Sequence, residues 1–349
     1  PLVLSGVPRS EIALERLLPG VCGPAASAMG RGSTLLLRGA ILCSVLCHLG
    51  WASTAAGAGA GGAGSLQRLA NGRPAHLVLK SPITYITDCK DENGKGRLKA
   101  RLATLFPGHS VELVGVENDY EAGINLVDIA DAYEGRPGII LGNVARREGH
   151  QRRSKWPNGP PFSWLRLGDN IDVFTTIDGY ILSLLQRMMG TKLSVELFDI
   201  PSTVPHMGLP AGRQEHIIHT QFRSFDFLPL LAAQIVGGRD LPASSLFDEV
   251  PDMPHALCWV DSFGNIKTSC VASDAMFQVG RRVTVRLDSQ RQLTLECFSR
   301  LKDIPDGVVG LTIGSSGMDD QRLLEIVQLG KSAANTLALT SGVGIEFVQ

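Results

Sequence analysis

Between residues 83 and 144 the pattern of apolar residues changes character four times, and this alternation limits the fold more than any other feature of the 349-residue chain. Ile83-Thr84-Tyr85-Ile86-Thr87 has the β-branched and aromatic content of a strand. Leu98, Leu102 and Leu105 then fall on one face of a helix over 96–105. Val111 to Val116 is a second strand, bounded by Pro107-Gly108 and Asn118. Leu126, Ile129, Ala130 and Tyr133 follow at helical spacing. Asn118 with Glu121 resembles a capping box at the start of that helix, and Gly135 before Pro137 stops it. Gly138 to Val144 is a third, buried strand. Strand–helix alternation of this kind predicts an α/β domain with a mostly parallel sheet and helices on both faces. Ile171 to Ile177, a helix from about Tyr180 to Met189, and Val195 to Ile200 extend it. Residues 201–215 read as a long Pro- and Gly-rich loop, and Phe225 to Ile235 as a helix interrupted early by Pro229.

After Gly237-Gly238 the texture changes. Short strands recur at 256–261, 282–287, 292–297, 309–313 and 323–327, separated by turn signals, which predicts a small antiparallel β-barrel. The organisation expected is a targeting or low-complexity segment over 1–79, an α/β domain over 80–240 and a β-barrel domain over 241–349.

The leading segment has its own signature. From Arg16 to Thr87 there is no Asp or Glu, a run of 72 residues. Met29, Arg31 and the 17-residue apolar stretch Leu35–Trp51 precede small residues and a Gly/Ala run. That order suits a secretory signal peptide starting at Met29, and the lack of acids suits an organelle transit peptide. A membrane anchor is the third reading, although Arg38 interrupts the stretch and a span needs ~20 apolar residues. The expected location is secreted or organellar.

Composition removes several function classes. With 33 basic against 34 acidic residues and a net charge of −1, the chain is no polybasic nucleic-acid binder, and 44% hydrophobic content excludes disorder. Seven Cys without tight spacing, three of them before residue 48, fit neither a disulfide scaffold nor a Cys-rich zinc site. His206, His216 and His219 have no metal-ligand spacing, so no metal is expected. No phosphate-binding, dinucleotide or hydrolase-elbow motif is present.

In a parallel sheet, ligands collect at the carboxyl ends of the strands. Here those ends are Asp88, Glu117-Asn118 and the run Asn143 to Arg147. The segment Arg152 to Phe162 follows, and its Trp156, Asn158 and Phe162 suggest a lid, or alternatively a solvated basic loop.

Five stretches in order carry a resemblance. Asp261-Ser262-Phe263-Gly264-Asn265-Ile266-Lys267-Thr268 resembles the Asp-x-Phe-Gly-Asn-x-x-Thr signature of the S-adenosylmethionine hydroxide adenosyltransferase family, which also contains fluorinases and chlorinases. Thr87-Asp88 matches its first strand end, and Ile177-Asp178-Gly179-Tyr180 its Pro-(Asp/Asn)-Asn-Gly turn. Thr220 to Ala233 resembles its Thr-Phe-(His/Tyr) helix. Ser315-Ser316-Gly317, Leu324-Glu325-Ile326 and Gly330 to Ala334 resemble its C-terminal pattern. The similarity covers about residues 82–340.

The resemblance implies hydrolysis of S-adenosyl-L-methionine to adenosine and methionine, by attack of water or hydroxide on the ribose 5′ carbon. It implies no cofactor, a small-molecule nucleoside substrate, and a homotrimer with sites between subunits. Asp88 would take the ribose diol, since a carboxylate accepts from both hydroxyls. Asp261 would hold the ammonium, Asn265 the adenine edge, Phe263 a face of the base, and Ser315 with Ser316 the carboxylate. Asp178, Phe222 and Arg223 complete the substrate-binding set. The plain reading of 261–265 is a β-turn needing a left-handed Gly264.

One stretch departs from the pattern. Where the family has Asp-Pro-Gly-Val-Gly-Thr, this chain has Leu141-Gly142-Asn143-Val144-Ala145-Arg146, so the catalytic Asp is missing. Asn143, Arg146 (or Arg147) and His219 are the remaining catalytic candidates. The halide pocket of fluorinases has no counterpart around Gln221-Phe222-Arg223-Ser224. The rival functions are a non-catalytic nucleoside-binding or structural protein on the same fold, and an enzyme acting on a different nucleoside.

Overall fold

The computed structural model describes residues 81–144, 156 and 159–348. Residues 1–79, where a targeting or low-complexity segment is expected, and Arg146, Arg147 and Asn158 lie outside the described residues.

The alternation read from sequence is present. β1 (Ile83–Thr87), α1 (Glu92–Leu105), β2 (Val111–Gly115), α2 (Asp119–Ala132) and β3 (Gly138–Asn143) follow one another. β1 lies between β2 and β3, parallel to both, and Thr87 faces Gly115 on one side and Asn143 on the other. α1 begins earlier than its leucine stripe suggests, because the Asp91 carboxylate accepts from the Gly94 N–H at 2.9 Å and caps it. α2 has the expected cap, with Asn118 Oδ1 accepting from the Glu121 N–H at 3.0 Å. The Glu121 carboxylate reaches back one residue further than the standard box, to the Glu117 N–H.

β4 (Phe162–Leu167) and β5 (Ile171–Thr176) come next, then α3 (Ser183–Met189) and β6 (Val195–Phe198). The expected loop over 201–215 is instead helical: α4 (Ile200–Thr203), a 3₁₀ turn over Val204–Met207, and α5 (Ala211–His219). The helix around Pro229 is two, α6 (Arg223–Asp226) and α7 (Leu228–Val236), with Pro229 in the first turn of α7, where its missing N–H costs nothing. β7 (Ser245–Phe247) ends this part.

The strand order of the first sheet is β2-β1-β3-β5-β4-β6-β7. The sheet is mixed, which corrects the expectation of a mostly parallel one. Four strands run parallel, whereas β4, β6 and β7 are each laid antiparallel to their neighbours. Both faces are covered. Ile140 and Val173 pack with α2 and α3, while Ile139, Leu141 and Phe174 pack with α1 and α7. Phe162, a candidate lid residue, is fully buried in β4, and Trp156 packs against the core.

The second sheet is assembled from β8 (Leu257–Val260), β9 (Ile266–Val271), β10 (Arg282–Leu287), β11 (Gln292–Cys297), β12 (Val309–Met318), β13 (Gln321–Gln328) and β14 (Ile345–Val348), with α8 (Ala333–Leu337) before the last strand. Its order is β14-β10-β11-β12-β13-β9-β8. A bridge between Ala256 and Gly344 ties the two edges, so the sheet is nearly barrel-shaped. It too is mixed, because β11 and β12 pair in parallel.

α2 joins the two sheets. Asp128 accepts from the Ser316 hydroxyl at 2.8 Å and the Gly317 N–H at 2.9 Å, and Asp131 from Arg322 at 2.7 Å and the Asp319 N–H at 2.8 Å. Burial pushes the Asp128 carboxyl above its ordinary value, against the pull of those two donors. A raised folded-state value means that the native state holds this proton more tightly than the unfolded chain. The contribution of Asp128 therefore falls as pH rises from the ordinary Asp value through the raised one. Asp128→Ala, which orphans a hydroxyl and an N–H, is expected to cost about 3 kcal/mol. Asp128→Asn should lose ground to the native protein at pH 4 and regain it at pH 7. Urea denaturation at the two pH values checks this, and a pH-independent difference would contradict the burial.

Candidate functional site

The parallel register builds the site. The carboxyl end of β1 is fixed on both sides: the Val116 N–H donates to the Thr87 carbonyl at 2.9 Å, and the Asp88 N–H to the Asn143 carbonyl at 3.4 Å. The Thr87 hydroxyl is fully buried and accepts from the Cys89 N–H at 3.1 Å, which turns the chain directly after the strand. Asp88 and Asn143 thus stand side by side at the middle of the parallel half. Gly142 pairs with Thr175, so β5 ends beside Asn143 and runs on into Ile177-Asp178-Gly179.

That turn is clamped from below. The Tyr180 N–H donates to Asp119 Oδ2 at 2.9 Å, and Gly179 has φ +71°. A Cβ on Gly179 would lie 1.9 Å from the same carboxylate oxygen, so only glycine lets the start of α2 approach. Tyr120 and Tyr180 pack together beside it, with ring centroids 4.8 Å apart.

β4 starts at the same edge, with Phe162 opposite Thr176. Arg223 lies over the Phe162 ring at 5.4 Å and donates to the Pro160 carbonyl at 2.5 Å. No carboxylate among the described residues pairs with this guanidinium, and burial lowers its pKa. Next to it, the Tyr85 phenol donates to the Ser224 carbonyl at 2.8 Å, tying α6 to β1. Burial raises that phenol well above its ordinary value, and Cys89 and Asp88 add to the rise. Four predicted residues, Asp88, Asn143, Asp178 and Arg223, therefore share one sheet edge. Tyr85 belongs with them; a tyrosine alternating within a buried strand is its only signal in the sequence.

Other predicted residues sit elsewhere. His219 ends α5 on the exposed surface, its Nδ1 2.9 Å from the Glu215 carbonyl and near the Glu215 carboxylate, an ordinary helix-end arrangement. Phe222 is 62% exposed, with Arg97 5.8 Å from its ring. Ser316 is buried on Asp128, so its hydroxyl is committed to holding the sheets together. Ser315 is exposed, and its carbonyl accepts from Arg322.

In the turn between β8 and β9, both oxygens of Asp261 are engaged locally. Oδ1 accepts from the Phe263 and Asn265 N–H groups, each at 2.9 Å, and Oδ2 from the Asn265 side-chain amide at 3.0 Å. Gly264 has φ +83°, the left-handed conformation that the turn requires. The turn presents Phe263, which is 78% exposed. None of these polar contacts of Asp261 and Asn265 reaches the Asp88 edge of the same chain.

The fold class is thus two mixed seven-stranded sheets, the first covered by helices and the second nearly barrel-shaped. No family model and no curated protein matches the chain. Among solved structures, an uncharacterized conserved protein from Thermotoga maritima is similar, with a TM-score of 0.55 and 17% identity over 76% of this chain and 100% of its own. A conserved hypothetical protein from Thermus thermophilus matches over 77% of this chain and 100% of its own at 17% identity, with a TM-score of 0.49. The first likeness is one of fold.

Proposed function

We propose that the protein hydrolyses S-adenosyl-L-methionine to adenosine and L-methionine, as a divergent member of the hydroxide adenosyltransferase family. The carrying observation is the sheet edge where Asp88, Asn143 and Asp178 follow the parallel strands β1, β3 and β5, with Arg223 of α6 held over the start of β4 at the same edge, all in the chain order of the family's motifs. A sulfonium nucleoside offers a diol for Asp88, and its carboxylate suits a half-buried guanidinium without a carboxylate partner among the described residues. Water or hydroxide attacks the 5′ carbon, the carbon–sulfur bond breaks, and methionine leaves with the electron pair. Charge is cancelled as hydroxide meets the sulfonium, so a dry pocket favours the transition state. The Asn143 amide is suited to orient the nucleophile by hydrogen bonding.

The exposed Phe263 supports a site completed by a second subunit, because a ring so open to water gains from burial against a base or a neighbour. The assembly proposed is a homotrimer, each site lying between the first sheet of one subunit and the Asp261–Asn265 turn of the next, with no cofactor.

A second reading is favoured by His219, which faces solvent and its own helix, and by the missing Asp. On that reading the protein binds the nucleoside without turning it over. Incubating the purified full chain with S-adenosyl-L-methionine decides between them. Adenosine and methionine in equal amounts are expected. Saturable binding without product would leave the second reading standing, and neither binding nor product would overturn both.

A further inference from the structure

We propose that His255, Cys270 and Asp274 form a binding site for a thiophilic divalent cation, with zinc as the best fit. The three residues come from the approach to β8, the end of β9 and the turn that follows, 15 and 4 positions apart, so no sequence spacing announces them. One nitrogen, one sulfur and one carboxylate oxygen converge, all within 4.8 Å of one another. Zinc holds its nitrogen, oxygen and sulfur ligands at about 2.0–2.3 Å, so tetrahedral donors stand about 3.5 Å apart. Side-chain adjustment of the order of an ångström closes the set.

The carboxylate is already oriented for the task. Asp274 Oδ2 accepts from the Val271 N–H at 2.7 Å and from Arg187, which leaves Oδ1 facing His255 Nε2 at 3.7 Å. A ligand oxygen with its partner oxygen pinned by a guanidinium and a backbone N–H is the arrangement that supports metal-binding carboxylates. Thiolate and carboxylate together match the charge of the dication, and Arg187, whose carboxylate partner is the same Asp274, leaves the cluster with one net positive charge.

The chemistry of Cys270 separates this site from a nucleophilic triad. The Cys270 sulfur is fully buried beside the Asp274 carboxylate, whereas a nucleophilic cysteine occupies a partly exposed, electropositive setting. Zinc would displace the thiol proton on binding and make the sulfur its ligand. Access exists from the surface. Asp274 lines a cavity of about 300 Å³ together with Met276, Arg281 and Phe347, and His255 is partly exposed on another. Three protein donors leave a fourth position for water or a ligand. Bound metal would fasten β8 to β9 and, through Arg187, to α3.

The test uses the full chain, purified in reductant, stripped with chelator and titrated with zinc or cobalt. One equivalent per chain is expected, with cobalt giving thiolate charge-transfer absorption in the near ultraviolet and a rise of several degrees in melting temperature. Cys270→Ser should abolish that absorption, and His255→Gln should remove stoichiometric zinc binding, while Cys258→Ser and Cys297→Ser retain both. Circular dichroism establishes that each variant is folded. Substoichiometric zinc, or a full equivalent that survives in a folded Cys270→Ser/His255→Gln double variant, would overturn the site.

Discussion

Gly264→Ala should lower the unfolding free energy by about 3 kcal/mol or more, a large loss for the addition of a single methyl group. At φ +83° the new side chain is strained wherever it finds itself, which costs about 1–3 kcal/mol. Here it also has nowhere to go. The Cβ would stand 2.0 Å from the Ser332 Oγ and 2.8 Å from the Ser332 Cα, so rotating the serine does not clear it. Ser332 caps α8 through the Asn335 N–H at 3.0 Å, and the Ala334 N–H donates to the Gly264 carbonyl at 3.0 Å. Pushing α8 away therefore loses a cap as well. Gly307→Ala is the control: φ is +79° and nothing lies within 4 Å, so only the backbone strain remains. Chemical denaturation of the two variants measures the difference. Equal losses would mean that the turn carrying Phe263 is not packed against α8 as the structure has it.

That turn shows what a sequence discloses and what it withholds. Its glycine and its Asp–Asn frame are local, and local geometry is legible. The same holds for the cap on α2 and for β1, β10 and β11, whose bounds match the pattern to the residue. β9 is hidden because Lys267, Thr268 and Ser269 are polar yet buried. Their partners, the Glu325 carboxylate and the carbonyls of Leu324 and Pro254, come from other segments. β4 is hidden for another reason: it follows a basic, Pro-rich stretch and is buried along much of both faces, so no clean alternation marks it. The helices over 200–219 escape any reading that treats Pro as a breaker. Pro201 lies in the first turn of α4, Pro205 at the start of the 3₁₀ turn, and Pro210 immediately ahead of α5, all positions that tolerate it.

The candidate site divides the same way. Strand ends place Asp88 and Asn143 from periodicity, since parallel register puts the ends of the strands on one edge, whereas Asp178 enters only through the resemblance of its turn. Ser316 is out of reach of that reasoning, because its hydroxyl is taken by Asp128, 188 positions away.

Asp88→Ala is expected to reduce kcat/KM for S-adenosyl-L-methionine by about 10²- to 10⁴-fold, if the proposed hydrolysis holds. Two hydrogen bonds from diol hydroxyls to an ionised carboxylate are worth about 1.5–3 kcal/mol each, and each 1.36 kcal/mol is tenfold in rate. Asp88→Asn keeps one acceptor oxygen and should show only part of that loss. The backbone at the strand end should keep its place. Asp88 follows β1 rather than belonging to it, and the neighbouring backbone is held by Thr87, Val116 and Asn143 through main-chain and threonine contacts that the substitution leaves in place. The 2′-deoxy substrate supplies the decisive comparison. It removes one of the two hydroxyls, so the native enzyme should process it about 10- to 100-fold less well than the ribonucleoside. In Asp88→Ala that preference should vanish, because the group that reads the hydroxyl is gone. A folded Asp88→Ala protein that still prefers the ribonucleoside by the native ratio would place the diol elsewhere, and with it the whole orientation of substrate along the strand ends.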